Sequence, residues 1–193
     1  MPPVFAKYDS RAVLMGSSSK AYWGGLRVGW IRAPHDLVMP LVQARMMDDL
    51  GTSAFDQLVV AELLADGGQT AAAGRARLRS ARDHLLAELA GQLPDVEAPC
   101  PTGGLNLWVT LPERMSSNLT TAAARHGLLL TPGPRFFSHA SAAAERHLRI
   151  PYTQSHETLT EAVHRLKLAY QEVLGKPRPV HSTRRNETLD MIA

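Results

Sequence analysis

Hydrophobic residues near the start of the chain occur in short runs separated by a turn. Ala12 to Met15 form a brief apolar run that leads into the glycine and serines of residues 16–19, and Leu26 to Ile31 form a second run. Each run is too short for a helix and is rich in residues that favour β-structure. The pattern therefore predicts two brief strands on either side of a Gly/Ser turn.

From about His35 the apolar residues recur at helical spacing, and three helices are predicted in succession. Gly67 and Gly68 are placed to end the second helix, because glycines commonly follow a helix terminus. The third helix runs from about Thr70 to Leu93. The apolar positions of the three helices are, in order, Leu37, Leu41, Val42, Met46 and Leu50, then Phe55, Leu58, Val59 and Leu63, then Leu78, Ala81, Leu85, Leu86, Leu89 and Leu93.

Beyond a proline-rich linker at residues 94–101 the pattern alternates between strands and helices. The predicted elements are a strand at Leu105–Leu111, a helix at Ser116–His126, a strand at Leu128–Thr131, a strand at His147–Tyr152 and a helix at His156–Leu174. Helices interspersed with few strands indicate an α/β protein with a small C-terminal α+β lobe. Residues after Gly175 are polar and lack periodicity, and we expect a disordered tail there.

Composition and charge narrow the class of protein. The chain has 193 residues and a net charge of +3, and its basic residues form no concentrated patch of the kind that nucleic-acid binding requires. No run approaches the roughly 18 apolar residues of a membrane helix, and the N-terminus has no secretion-signal pattern. Cys100 is the only cysteine. It excludes an internal disulfide and fits a reducing compartment, so we predict a cytoplasmic protein.

The residues around the first turn suit a phosphate-bearing aldehyde cofactor. Lys20 follows the turn and can form a Schiff base, while Ser17 and Ser19 offer hydroxyl donors to phosphate. Arg27 offers a guanidinium to the same dianion. Taken alone, these residues leave open a surface lysine in a Gly/Ser loop beside a solvated arginine.

This block resembles the lysine motif of class I/II aminotransferases of fold type I, in which Ser-x-Ser-Lys is followed by Gly-x-Arg-x-Gly. Its detailed form is closest to the aminotransferase domains of MocR-type regulators of the GntR family. Further segments resemble the family's motifs in the family's order, over roughly Val4 to Leu174. They are Thr52–Leu64, Arg77–Leu89, Gly103–Trp108, Leu130–Phe136 and His147–Ile150.

The resemblance implies a fold and a domain organisation. The chain would be the C-terminal half of the aspartate aminotransferase-like fold of PLP-dependent transferases, with an incomplete large domain. Residues 1–33 would be a remnant of the large domain that carries the lysine motif. Residues 34–93 would form a helical interdomain segment, residues 94–174 the small α+β lobe and residues 175–193 the disordered tail.

The resemblance also implies the roles of individual residues. Lys20 would be catalytic and would hold pyridoxal 5'-phosphate (PLP) as a Schiff base, with Ser17 and Arg27 as phosphate contacts and Ser19 supporting the turn. Arg149 would bind the α-carboxylate of an amino acid, a task that suits a planar guanidinium. We expect no metal site, because no histidine has a second ligand at metal-binding spacing. For the tryptophans at positions 23 and 108 we expect aromatic packing rather than ligand contact.

Three functional interpretations follow from the resemblance. Only nineteen residues precede Lys20, so the first is a truncated PLP-binding protein, for amino-acid transamination or sensing, with little or no activity alone. The second is a functional PLP binder whose pocket is completed across a homodimer. The third is a non-catalytic interaction module or a regulator's effector domain. All three interpretations predict no direct DNA binding and no membrane association. The expected partners are a small amino acid or amine and a second copy of the chain, bound through exposed sheet edges.

Overall fold

The computed structural model describes residues 5–49, 51–139 and 141–175. The chain divides into two compact units, Met1–Ala76 and Arg77–Ala193. The disordered tail predicted after Gly175 lies outside the described residues.

The first unit opens with a 3-10 helix at Phe5–Lys7 and continues with an antiparallel hairpin of β1 (Leu14–Ser17) and β2 (Gly29–Arg32). Helices α1 (His35–Met46) and α2 (Ala54–Ala65) follow. Both strands begin two or three residues later than the sequence predicted. β2 begins late because the hydrogen bonds of the connecting loop reach Val28, whose carbonyl accepts from Ser18 N. β1 begins late because Ala12 N is held in a turn by Asp9 O.

Much of the apolar surface of the first unit is exposed among the described residues. Helix α1 has no buried residue and α2 buries only Val60. The strands also expose apolar side chains, with Met15 at 74% and Ile31 at 51%. Helical periodicity therefore predicted where these helices lie, but not that their apolar positions would remain exposed within the described residues.

The second unit contains most of α3 (Gln69–Gln92), two further helices and a three-stranded sheet. The elements are β3 (Asn106–Thr110), α4 (Ser116–Arg125), β4 (Thr131–Pro132), 3-10 helices at Gly133–Phe136 and Ala144–Arg146, β5 (His147–Pro151) and α5 (His156–Val173). The strand order is β3-β5-β4, and both pairings are antiparallel. The strands predicted at Leu105–Leu111 and His147–Tyr152 are both present, as β3 and β5, and they pair with each other in this sheet.

The strand predicted at Leu128–Thr131 was wrong for most of its length, because these residues first serve to end α4. Leu128 N donates to Ala123 O and Gly127 N donates to Ala124 O, which is the Schellman pattern of helix termination. Gly127 adopts the left-handed conformation (φ +75°) that this pattern favours. Among the described residues of this segment, Thr131 and Pro132 pair with β5.

The core of the second unit lies between one face of this sheet and the apolar stripes of α3, α4 and α5. Alternate strand residues such as Leu107, Val109 and Leu148 are fully buried on that face, as the two-residue period of a strand requires. The stripe predicted on α5 is buried from Leu159 to Tyr170. The remaining strand residues project from the opposite face of the sheet.

The N-terminus of α4 is capped by Glu145 from a distant part of the chain. Its carboxylate accepts from Ser117 N at 2.9 Å, from Ser117 Oγ at 2.7 Å and from Ser116 Oγ at 3.0 Å. The backbone hydrogen bond from Ser117, followed by the two hydroxyls, lowers the pKa of the Glu145 carboxyl against the opposing effect of its burial. An anionic side chain at a helix N-terminus also stabilises the helix dipole.

Replacing Glu145 by glutamine should lower the free energy of unfolding at pH 7 by about 1–2 kcal/mol, because charge-assisted hydrogen bonds are lost. A lowered folded pKa stabilises the fold above the unfolded pKa of about 4.3, and this stabilisation is lost as the pH falls through the folded value. Urea unfolding should therefore show a difference between wild type and Glu145→Gln that shrinks below about pH 4. The exposed Glu113→Gln is the control; a difference for Glu145→Gln that is constant down to pH 2 would contradict the capping role.

Candidate functional site

A tight turn follows β1 and carries Lys20 at the surface. Ala21 N and Tyr22 N both donate to Ser18 O, at 3.1 and 2.9 Å. The phenol of Tyr22 donates to Leu63 O in α2 at 3.2 Å. The backbone around Lys20 is thus held by its neighbours, while the Lys20 side chain is exposed.

Two serine hydroxyls anchor this turn to the far side of its loop. Ser18 is fully buried, and its Oγ donates to Val28 O at 2.8 Å and to Leu26 O at 3.2 Å. Ser19 Oγ donates to Leu26 O at 2.7 Å, and the Leu26 side chain is itself buried. These bonds close the loop of residues 18–28.

Ser18 is a residue that the sequence analysis did not single out. Three consecutive serines have the same chemistry, so residue type alone does not show which of them is buried. The signal available was the two-residue period of β1, since Leu14, Gly16 and Ser18 are the less exposed positions and Met15 and Ser17 are exposed.

The exposed members of the loop form a set of cofactor-type donors. Ser17 ends β1, and its Oγ accepts from Ser19 N at 3.3 Å. Arg27 is exposed between Leu26 and Val28, whose carbonyls fasten the loop. Within the described part of the chain, no hydrogen bond or ion pair occupies the side chain of Lys20 or Arg27. The turn and its loop thus carry an exposed amine, hydroxyl and guanidinium within a short stretch of chain, and this donor set fits an aldehyde that bears a phosphate.

Removing the Ser18 hydroxyl should loosen the loop without altering its exposed donors. We expect Ser18→Ala to destabilise the first unit by about 1 kcal/mol, because a buried hydroxyl bonded to two carbonyls is lost. Hydrogen exchange should show faster exchange of the amides of Ala21, Tyr22 and Leu26. Ser10→Ala, at an exposed serine, is the control, and equal exchange rates in both variants would contradict an anchoring role for Ser18.

Arg149 lies in the second unit, on the central strand β5 opposite Trp108 of β3 and Thr131 of β4. Its Cζ is 4.8 Å from the centroid of the Phe136 ring. Its Nε is buried and has no hydrogen-bond partner. Arg149 is therefore held beside an aromatic ring, and no other described residue satisfies its buried donor.

Of the two tryptophans that were expected to pack, Trp108 lies among other rings and Trp23 is largely exposed. Trp108 contacts Phe136 edge-on at 5.5 Å between ring centroids, and stacks with His147 at 5.3 Å. Trp23 is 68% exposed, and its ring occupies the space that a Cβ on Gly25 would need.

Within residues 5–49, 51–139 and 141–175, no three metal-ligating side chains come together, and no helix is long and apolar enough to cross a membrane.

No family model matches the chain, but individual proteins do. The aromatic-amino-acid aminotransferase 1 of Thermococcus litoralis is 30% identical over 87% of this chain and 41% of its own length. The 2-aminoadipate transaminase of Thermus thermophilus is 32% identical over 84% of this chain and 42% of its own. The uncharacterised HTH-type transcriptional regulator YdfD of Bacillus subtilis is 28% identical over 87% of this chain and 35% of its own.

Solved structures give the same result for the fold. LysN, an α-aminoadipate aminotransferase of Thermus thermophilus crystallised with N-(5'-phosphopyridoxyl)-L-leucine, matches with a TM-score of 0.76 at 30% identity. The match covers 84% of this chain and 42% of LysN. The chain thus spans about two-fifths of the length of the relatives it matches. The resemblance to aminotransferases and MocR-type regulators is confirmed, and the fold is part of the aminotransferase fold.

Proposed function

Because the chain is aminotransferase-like in sequence and in fold, we propose that it binds PLP covalently through Lys20 and contributes one part of an aminotransferase-type site. The observation that carries the proposal is the anchored turn and loop, which expose Lys20, Ser17 and Arg27 to solvent. Ser19 supports this turn through its bond to Leu26 O.

Each residue has a distinct task in this proposal. When PLP is bound, the Lys20 amine would hold its aldehyde carbon covalently, and Ser17 and Arg27 would hold the phosphate through a hydroxyl and a charge-assisted bond. PLP, when bound, supplies an electron sink for the substrate carbanion. The Lys20 amine would also be the group that moves a proton to and from the substrate Cα. Arg149 holds the substrate carboxylate.

More than half of the length of each of these relatives lies outside the match. We therefore extend the proposal to the activity of the whole protein. We propose that the rest of the ring-binding pocket comes from polypeptide corresponding to that length, and that the chain alone has little or no transaminase activity. The exposed apolar residues of α1 and α2, such as Met46 at 76% and Phe55 at 73%, suit burial against such a segment or a second copy. The exposed free thiol of Cys100 fits a cytoplasmic location.

A second candidate is the effector domain of a regulator, which the likeness to YdfD supports. Both candidates require PLP bound at Lys20. They differ in turnover, because a transaminase with its full pocket converts an amino acid into its 2-oxo acid, whereas a non-catalytic effector domain only binds it. An interaction module that has lost this chemistry would bind no PLP.

Titration with PLP, followed by the visible absorption of lysine-bound cofactor, tests the proposal. Arg27→Ala should weaken binding by about 1.5–3 kcal/mol, since one charge-assisted phosphate contact is lost while the covalent link remains. Arg32→Ala, at an exposed arginine on the same hairpin, should bind as wild type does, and so should Arg149→Ala. No absorption band in the wild type, or an equal loss in Arg27→Ala and Arg32→Ala, would refute the phosphate site.

A further inference from the structure

Four rings meet in the second unit: Trp108 of β3, His147 of β5, and Phe136 and Phe137 of the segment after β4. Trp108, Phe137 and His147 are mutually stacked, with centroid separations of 5.3, 6.2 and 6.5 Å and interplanar angles of 14–30°. Phe136 meets Trp108 edge-on at 86°. We call these four side chains the aromatic cluster. Trp108, Phe136 and Phe137 are 37–44% exposed, so their rings offer free surface to a ligand.

Two buried polar atoms in this region have no hydrogen-bond partner. They are Nδ1 of His147 and Nε of Arg149, two residues apart on the same face of β5. Buried polar atoms are satisfied in most proteins, and an unsatisfied one calls for an explanation. An anionic acceptor beside Arg149, with a ring against the cluster, would remove water from the site and give the guanidinium its partner.

We infer that the aromatic cluster and Arg149 form a binding site for a planar aromatic carboxylate. The carboxylate binds the Arg149 guanidinium and the ligand's ring packs against Trp108 and Phe137. The inference rests on the proposed function in one respect, that Arg149 binds the carboxylate of the amino-acid ligand. It goes beyond that role by assigning the ligand's side chain to the aromatic class.

The geometry favours an aromatic ring over an aliphatic group of the same size. Rings that are stacked or edge-on gain attraction from their quadrupoles beyond the burial of area. Phe136 already lies under Arg149, so the guanidinium is held in place before a ligand arrives. A polypeptide partner would not need a cation at this position, whereas a small carboxylate does.

Three probes of similar size separate these contributions: phenylacetate, cyclohexylacetate and 2-phenylethanol. Each is titrated into the full chain without PLP, with ligand-observed NMR as the readout. Phenylacetate should bind about threefold to tenfold more tightly than cyclohexylacetate, because only its ring is aromatic. It should bind at least about tenfold more tightly than 2-phenylethanol, which has no carboxylate. Equal affinity for the first two probes would overturn the inference.

Variants locate the site on the cluster. Trp108→Leu and Phe137→Leu should each weaken phenylacetate about threefold or more and leave cyclohexylacetate nearly unchanged. Trp23→Leu, an exposed tryptophan of the first unit, is the control and should change neither affinity. Circular dichroism checks that each variant is folded. If Trp108→Leu does not fold, Phe137→Leu provides the test. Unchanged phenylacetate affinity in a folded cluster variant would overturn the inference. Self-association of the wild type that Trp108→Leu removes would also overturn it, because the cluster would then be an interface between copies.

The same variants separate this inference from the proposed function. A PLP absorption band in wild type and Trp108→Leu, without phenylacetate binding to the wild type, would overturn the aromatic site and leave the cofactor proposal intact. Selective binding of phenylacetate without a PLP band would overturn the cofactor proposal and support the site as an aromatic carboxylate site.

Discussion

Replacing Lys20 by alanine is expected to abolish covalent attachment of PLP to this chain. The lysine amine is the only group that the proposed site offers to the aldehyde, so its loss removes the covalent link rather than weakening it. The fold should be retained, because Lys20 is exposed in a turn and surface changes usually stay within about 0.5 kcal/mol. Borohydride reduction in the presence of PLP, followed by peptide mapping, measures the attachment at each lysine.

The other lysines of the chain serve as internal controls. Lys7 is exposed in the first unit and Lys167 lies on α5 of the second; Lys176 is the fourth lysine of the sequence. We expect labelling at Lys20 in the wild type and in Lys7→Ala, and none above background in Lys20→Ala. Labelling at Lys7, Lys167 or Lys176 in preference to Lys20 would mean nonspecific condensation, and the proposed cofactor role would be wrong.

Replacing Gly133 by alanine is expected to disrupt the segment that carries Phe136 and Phe137. Gly133 is buried, and a Cβ there would overlap Ala144 O and lie 2.7 Å from His147 O. Backbone oxygens cannot rotate aside as a side chain can, so the cost should reach the upper end of the roughly 1–3 kcal/mol typical of overpacking. Urea unfolding followed by circular dichroism should show this loss.

The displaced loop should also reduce phenylacetate affinity, because the Phe136 and Phe137 rings would leave their places beside Arg149. Gly91→Ala is the control, since a Cβ at this helical position meets nothing within 4 Å. That substitution should stabilise α3 by about 0.5–1 kcal/mol. Wild-type stability and wild-type phenylacetate affinity in Gly133→Ala would show that the close approach at Gly133 is unimportant.

Apolar periodicity predicted buried positions correctly in those helices and strands that bury one apolar face. The stripes on α3 and α5 and the alternation in β3 and β5 predicted both the elements and their buried positions, because a helix or strand in a packed unit turns its apolar face to the core. The same reasoning was less informative for α1 and α2, whose apolar positions stay exposed among the described residues. Their sequence indicates a buried face, but the surface that would bury it is not set by local spacing.

The sequence by itself determined the aminotransferase likeness and the order of the elements, since motifs and local spacing are properties of neighbouring residues. Only the tertiary structure decided how the buried serine is bonded, because the partners of Ser18 are carbonyls eight and ten residues away. It also decided the aromatic cluster, whose rings come from β3, β5 and the loop after β4. These residues are distant along the chain. They come into contact because the strands pair and because Gly133, which has no side chain, lets the backbone at Ala144 and His147 approach closely. Local sequence patterns carry no information about such contacts.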